Sequence, residues 1–270
     1  VLPRFPGWAD WRQRLSAAGP IGGGIVIMRL LLNVDTALLG VLATPAVVGG
    51  YAAASKLVFT FVVATEVLWN ALLPRLARLW QGDPERFRTR WNLYLALVLA
   101  GYLPAAAGGV AVARPLVAAL YGDRFPEAPV VFQVLSLSYV LLSLAQFCGN
   151  TLIACDRQRA YIPPLLAGAG VAVVGNLLLV PRDGAAGACL AMLASHVTLL
   201  AGTGWLCRAY LARSLLRPAA AALGGSLLMG LAVARLEAWP LAARIAAGAG
   251  LYAVLAGPWL WLWARRMLAE

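Results

Sequence analysis

Ionisable and amide side chains are scarce in this chain. Those inside its apolar stretches gather near the N-terminal end: Arg29, Asn33, Asp35 and Thr36 in one stretch, Lys56 and Glu66 in the next. A helix turns about 100° per residue, so Arg29, Asn33 and Thr36 share one face while Asp35 points about 120° away from Arg29. The two opposite charges are therefore set to find partners on other helices rather than each other. Lys56, Phe59, Val63, Glu66 and Asn70 fall within a sector of about 80°, a mixed polar stripe about 21 Å long. A third row, Ser136, Tyr139, Ser143, Gln146 and Asn150, keeps helical spacing, and Asn176 and the single histidine, His196, add isolated polar groups.

Burying an ionisable group at mid-membrane costs at least about 2.5–3.5 kcal/mol, so such groups face partners or a wet cavity. Three stripes from separate helices predict a shared water-accessible cavity. The plainer reading is that the Ser, Thr and Asn groups pair with one another and hold helices together. Arg29 and Lys56, two cations without adjacent acids, point to contact with an anion or other ligand. Asp35 and Glu66 fit a coupling cation or proton, and equally fit a role balancing the two cations. His196, beside Ser195, reads as a packing histidine. The Gly22–Gly24 run permits close helix approach or a local break.

No catalytic or metal signature accompanies these groups. There is no HExxH pair, no Gly-rich phosphate loop followed by Lys, and no cluster of loop carboxylates. Cys148, Cys155, Cys189 and Cys207 lie in or at the ends of apolar runs and read as small hydrophobes. Neither an enzyme nor a cofactor is expected.

The elements that carry these residues are apolar helices. The chain has 270 residues, 62% apolar and 12% charged. That is about half the charge of a soluble domain. Eight segments read as transmembrane helices. They are Ile21–Leu42, Gly50–Leu73, Trp91–Val112, Val130–Leu152, Ile162–Val180, Gly187–Leu206, Ala219–Leu236 and Leu241–Trp263. The net charge of +11 reflects arginines in the gaps between segments, which argues against nucleic acid as a partner. The gaps alternate in Arg content. Arg4, Arg12, Arg14, the Arg75–Arg90 group, Arg157, Arg159, Arg208, Arg213, Arg217, Arg265 and Arg266 lie on one side; Arg114, Arg124, Arg182, Arg235 and Arg244 lie on the other. The positive-inside rule makes the richer side, with both chain ends, cytoplasmic. Trp91, Trp205, Trp239 and Trp263 fall near segment ends, where interfacial belts form. Residues 1–17 read as a basic interfacial linker, and a start at Val1 suggests a piece of a longer protein. The gaps 74–90 and 113–128 have room for short surface helices. Abundant Ala, Gly and Arg suit a GC-rich bacterial genome.

Three stretches carry a family resemblance. They are Asn33-Val-Asp35-Thr-Ala-Leu-Leu-Gly40 with Val48-Gly-Gly-Tyr51-Ala-Ala-Ala-Ser-Lys56-Leu, then Leu120-Tyr-Gly-Asp-Arg-Phe125-Pro-Glu-Ala128, then Asn176-Leu-Leu-Leu-Val-Pro181 through Arg-Asp-Gly184-Ala-Ala-Gly187-Ala. In order and spacing they resemble the C-terminal half of polysaccharide and lipid-linked oligosaccharide flippases, within the multidrug/oligosaccharidyl-lipid/polysaccharide exporter superfamily. The resemblance implies an all-α polytopic membrane protein of about eight transmembrane helices: a six-helix lobe over 18–212 of a two-lobed flippase, and two appended helices over 213–270. The missing N-terminal lobe would be on the same or a separate chain. It implies alternating-access export of an undecaprenyl-diphosphate-linked oligosaccharide across a bacterial cytoplasmic membrane. Arg29, Lys56, Asn33, Gln146 and Asn150 would meet substrate. Asp35, Glu66, Asn176 and Thr198 would serve a coupling Na+ or H+. A drug or metabolite exporter of the same superfamily and an accessory membrane subunit without transport remain open alternatives; a drug exporter would favour an acid-dominated cavity.

Overall fold

The computed structural model describes Trp8, residues 22–23 and 26–269, with the side chains of 61–68, 70, 268 and 269 left outside that description. The linker expected over 1–17 lies, apart from Trp8, outside the described residues, as do Gly24 and the side chain of Glu66. Seven helices follow a helical stretch at 26–31: α1 (Val34–Leu42), α2 (Pro45–Gly82), α3 (Pro84–Tyr121), α4 (Ala128–Ala154), α5 (Gln158–Cys207), α6 (Leu216–Arg235) and α7 (Leu241–Ala269). Among the described residues there is no strand. In lipid the backbone must satisfy itself within each segment, and helices do so. Five of the described helical spans are long and apolar enough to cross a bilayer. The chain is an all-α polytopic membrane protein.

Two of the expected segments differ in local form. The first is not one helix: it breaks at Leu32–Asn33 before restarting as α1. Between segments two and three, α2 runs on through Pro74 to Gly82 and α3 starts at Pro84. The 74–90 gap is therefore continuous helix turned at Asp83, with no separate surface helix. Asp83 makes that turn possible, because its side chain accepts from Arg86 N at 3.0 Å and caps α3.

Segments five and six are the two arms of α5, which reverses at Gly184, where φ is 55° and ψ −126°. A side chain is disfavoured at that positive φ. The arms close on small residues. A Cβ at Gly175 would stand 2.9 Å from Ala191 Cβ, and one at Gly187 would collide with the Leu179 carbonyl. Ser195 Oγ donates to Gly168 O at 2.8 Å across the same seam. Close approach through small residues, with hydroxyl bonds across it, is how helices associate where lipid removes the hydrophobic drive.

Two large buried clusters fill the bundle, and a small third one joins Val112, Met229 and Val233. One of the large pair, at the arginine-rich end, is aromatic. Trp91 is 1% exposed and donates from Nε1 to Thr151 Oγ1 at 2.9 Å. Its ring lies 5.1 Å from Phe147, which lies 4.9 Å from Trp69. Trp91 is thus a core residue and not part of an interfacial belt, whereas Trp205 and Trp239 are exposed. The other large cluster joins Leu39, Tyr51, Val58, Phe132, Leu135, Val180 and Cys189 from α1, α2, α4 and α5. Helices α6 and α7 pack on each other and on α3. Arg244 ties them there, donating from Nη2 to Val233 O at 3.1 Å and Ala111 O at 3.4 Å. It is 6% exposed, and so belongs to the packed interior and not to an outward loop.

Candidate functional site

The break in the first segment builds a polar point in the interior. Ahead of it, Leu32 N still bonds Met28 O at 3.0 Å, but Asn33 N reaches only Leu30 O, at 3.1 Å. The backbone of Asn33 leaves the helix at φ −128°, ψ −4°, and α1 restarts behind it. The Asn33 amide donates to Arg29 O at 2.7 Å, satisfying a carbonyl near the break. A restarted helix exposes unpaired N–H groups in its first turn. Asp35 supplies the acceptor: its Oδ1 takes the Thr36 N–H at 2.7 Å and the Thr36 hydroxyl at 3.4 Å. Positive helix-terminus dipole favours a carboxylate there.

The other oxygen of Asp35 accepts from the hydroxyl of Tyr51, on α2. Asp35 is 7% exposed and Tyr51 fully buried. Tyr139 of α4 and Cys189 of α5 lie within electrostatic reach of the carboxylate. A buried carboxylate on an interrupted helix, met by donors from two elements, can hold a proton or a small cation.

The remaining expected residues differ in exposure. Arg29, Asn33 and Lys56 are exposed. Lys56 lies five residues beyond Tyr51 and about 140° round the helix from it, so it faces away from Asp35. On α4, Gln146 and Asn150 are half-buried. They lie about 10 and 16 Å along the helix from Tyr139. Asn176 is fully buried; its amide donates to Ala172 O at 2.8 Å, and its Oδ1 has no partner among the described residues. The α5 seam, with Gly175 opposite Ala191, sets Asn176 about level with Cys189 along the hairpin. Thr198 bonds its own helix at Ala194 O, 2.8 Å, and stands about 13 Å along the arm from Cys189.

The α4 stripe is largely self-satisfied. Ser136 Oγ donates to Phe132 O at 2.6 Å and Ser143 Oγ to Tyr139 O at 2.7 Å. These hydroxyls turn back onto their own helix. A cavity of about 550 Å³ does open beside α2, lined by Leu57 and Thr60, by α3 and by α7. Its walls are mostly apolar, and none of Asn33, Lys56, Gln146 or Asn150 lines it. His196 is buried with Nδ1 2.7 Å from Ser138 Oγ. Among the described residues no group of three His, Cys, Asp or Glu side chains is placed to hold a metal.

Tyr51 and Arg244 are the participants that sequence reading passed over. Tyr51 stands inside a quoted motif, and the need of buried Asp35 for a donor on another helix was the signal for it. Arg244 lies three residues inside an apolar segment, a depth at which an arginine has to find carbonyl partners.

Interrupted first helix, buried carboxylate and small-residue hairpin sit together in a polytopic membrane protein. Residues 10–130, less than half of the chain, match the family model described as "Polysaccharide biosynthesis protein". The fold is similar to that of a solved structure titled "Lipid II flippase MurJ, inward closed conformation". The TM-score is 0.78 at 10% identity, over 95% of this chain and 56% of that one. No curated protein matches the chain in sequence. The chain is thus similar to polysaccharide biosynthesis proteins in sequence over residues 10–130, and to a lipid II flippase in fold over nearly all its length. It spans little more than half of the flippase it matches.

Proposed function

We propose that this chain is the C-terminal lobe of a flippase that moves a lipid-linked oligosaccharide diphosphate across the cytoplasmic membrane for polysaccharide export. The single observation that carries the reading is the coincidence of a flippase fold with the polysaccharide-biosynthesis sequence of residues 10–130. The exposed Arg29 and Lys56 supply cations for the diphosphate, with Asn33, Gln146 and Asn150 as polar contacts. Asp35, with Asn176 and Tyr51, supplies the coupling site for Na+ or H+; Glu66 and Thr198 are secondary candidates. The protein acts as a transporter and not as an enzyme, by rocking this lobe against a second one carried on the same or another chain. Both ends of the chain lie on the cytoplasmic side, as the arginine distribution argues.

The test is complementation of a bacterial strain lacking its sugar-lipid flippase, scored by surface polysaccharide. The whole reading frame that contains this chain is expressed, and compared with its Arg29→Ala form. Restored export that is lost with Arg29→Ala supports the reading. Restoration unchanged by that substitution removes the anion role of Arg29, and no restoration by the whole frame removes the flippase reading.

A further inference from the structure

The helix α3 has two cavity-lining faces. Gly101, Pro104, Gly108 and Val112 line the 550 Å³ cavity beside α2. Leu103, Ala107, Val110 and Arg114 line a larger one, of about 960 Å³, against α4 and α6. The two sets lie about 135° apart around the helix. The larger space is therefore on the far side of α3 from Leu57 and Thr60.

Its chemistry is graded from one end to the other. The walls from α3, α4 and α6 are apolar over most of their length, through Leu103, Leu137 and Leu227. Arg114, Gln133 and Arg244, near the ends of their helices away from the arginine-rich side, and Glu237, in the turn between α6 and α7, also line it. From Arg114 to Leu103 is eleven residues, about 16 Å of helix. One leaflet of hydrocarbon is about 15 Å deep. Arg244 bounds both cavities. Its Nη2 is used by two carbonyls, while its Nε has no partner among the described residues. Two arginines against one glutamate leave this end cationic.

We propose that the slot between α3, α4 and α6 holds an anionic glycerophospholipid of the surrounding bilayer, one acyl chain along the apolar wall and its phosphate against Arg114 and Arg244. The lipid is a fixed component of the lobe, distinct from transported cargo. The charge gradient and the one-leaflet length select a two-part ligand with an anionic head, which a detergent or neutral lipid matches only in part.

Native mass spectrometry of the full chain, released from detergent after incubation with phosphatidylglycerol or phosphatidylcholine, tests this. Phosphatidylglycerol should be retained preferentially, as one copy. Arg114→Gln, which removes one charge-assisted contact from an exposed position, should lower its occupancy about tenfold. Leu137→Trp, which fills the slot from a side chain 53% exposed, should abolish retention, and Leu178→Trp on α5, 59% exposed and outside the slot, should not. Equal retention of the two lipids overturns the proposal. So does unchanged retention in both slot variants with an unaltered unfolding midpoint. Displacement of phosphatidylglycerol by equimolar undecaprenyl phosphate also overturns it, by giving the slot to cargo.

Discussion

Tyr51 places its hydroxyl on the carboxylate of Asp35, sixteen residues earlier and on another helix. The pair joins the restarted α1 to α2 inside an apolar cluster. Removing one partner leaves a buried polar group with fewer bonds, at a cost of about 1–3 kcal/mol. Tyr51→Phe should therefore lower the thermal unfolding midpoint in detergent. In an Asp35→Leu background the same change should cost much less, because the acceptor is gone. Equal costs in both backgrounds would show that the bond contributes nothing.

Four tryptophans near segment ends divide into two kinds. Trp91 is buried among Phe147, Thr151 and Tyr210, while Trp239 is half in the open, 52% exposed. Trp91→Ala should destabilise by about 3–5 kcal/mol, as large aromatic truncations in cores do. Trp239→Ala should stay within about 0.5 kcal/mol. Chemical unfolding of the two variants in the same detergent separates them.

The α5 hairpin rests on glycines that differ in what surrounds them. At Gly187 a methyl would strike backbone, and at Gly170 it would meet nothing within 4 Å. Gly187→Ala should cost about 1–3 kcal/mol through overpacking, with a drop in folded, monodisperse yield. Gly170→Ala should be silent or slightly stabilising. Fluorescence-detected size exclusion of both variants gives the comparison.

Hydropathy made the spans legible, because each apolar run is long enough to need a helix and lipid permits little else. Arg29, Asn33 and Thr36 are exposed while Asp35 is buried, although the break at Asn33 interrupts the single helix on which their common face was reckoned. What hydropathy could not resolve was tertiary. Trp91 and Trp239 both fall near the ends of apolar segments, and the packing of α3 against α4 buries the first. The break at Asn33 escaped notice because Leu31, Leu32 and Val34 keep the run apolar through it. Arg244 looked like a loop cation because its partners, Val233 O and Ala111 O, are backbone atoms with no sequence signature. The α4 stripe had the spacing of a cavity wall, yet a serine's nearest acceptor is its own helix one turn back.

The separation of exposed cations from a buried acid predicts two distinguishable losses of transport. If Arg29 and Lys56 hold the anionic end of cargo, each cation contributes a charge-assisted contact, and its loss weakens cargo binding about tenfold. Coupling should survive, since Lys56 faces away from Asp35. Asp35→Asn keeps the volume and one acceptor for Tyr51 but removes the negative charge that a cation or proton would neutralise. Cargo affinity should then be retained while the dependence on an ion gradient disappears. The measurement is uptake of a fluorescent polyprenyl-diphosphate sugar by proteoliposomes containing the complete two-lobed protein. Na+ and pH gradients are imposed separately. A variant Asp35→Asn that still responds to either gradient would remove the coupling role from this carboxylate. A double variant Arg29→Ala, Lys56→Ala with undiminished cargo affinity would remove the cation role, leaving the fold assignment untouched.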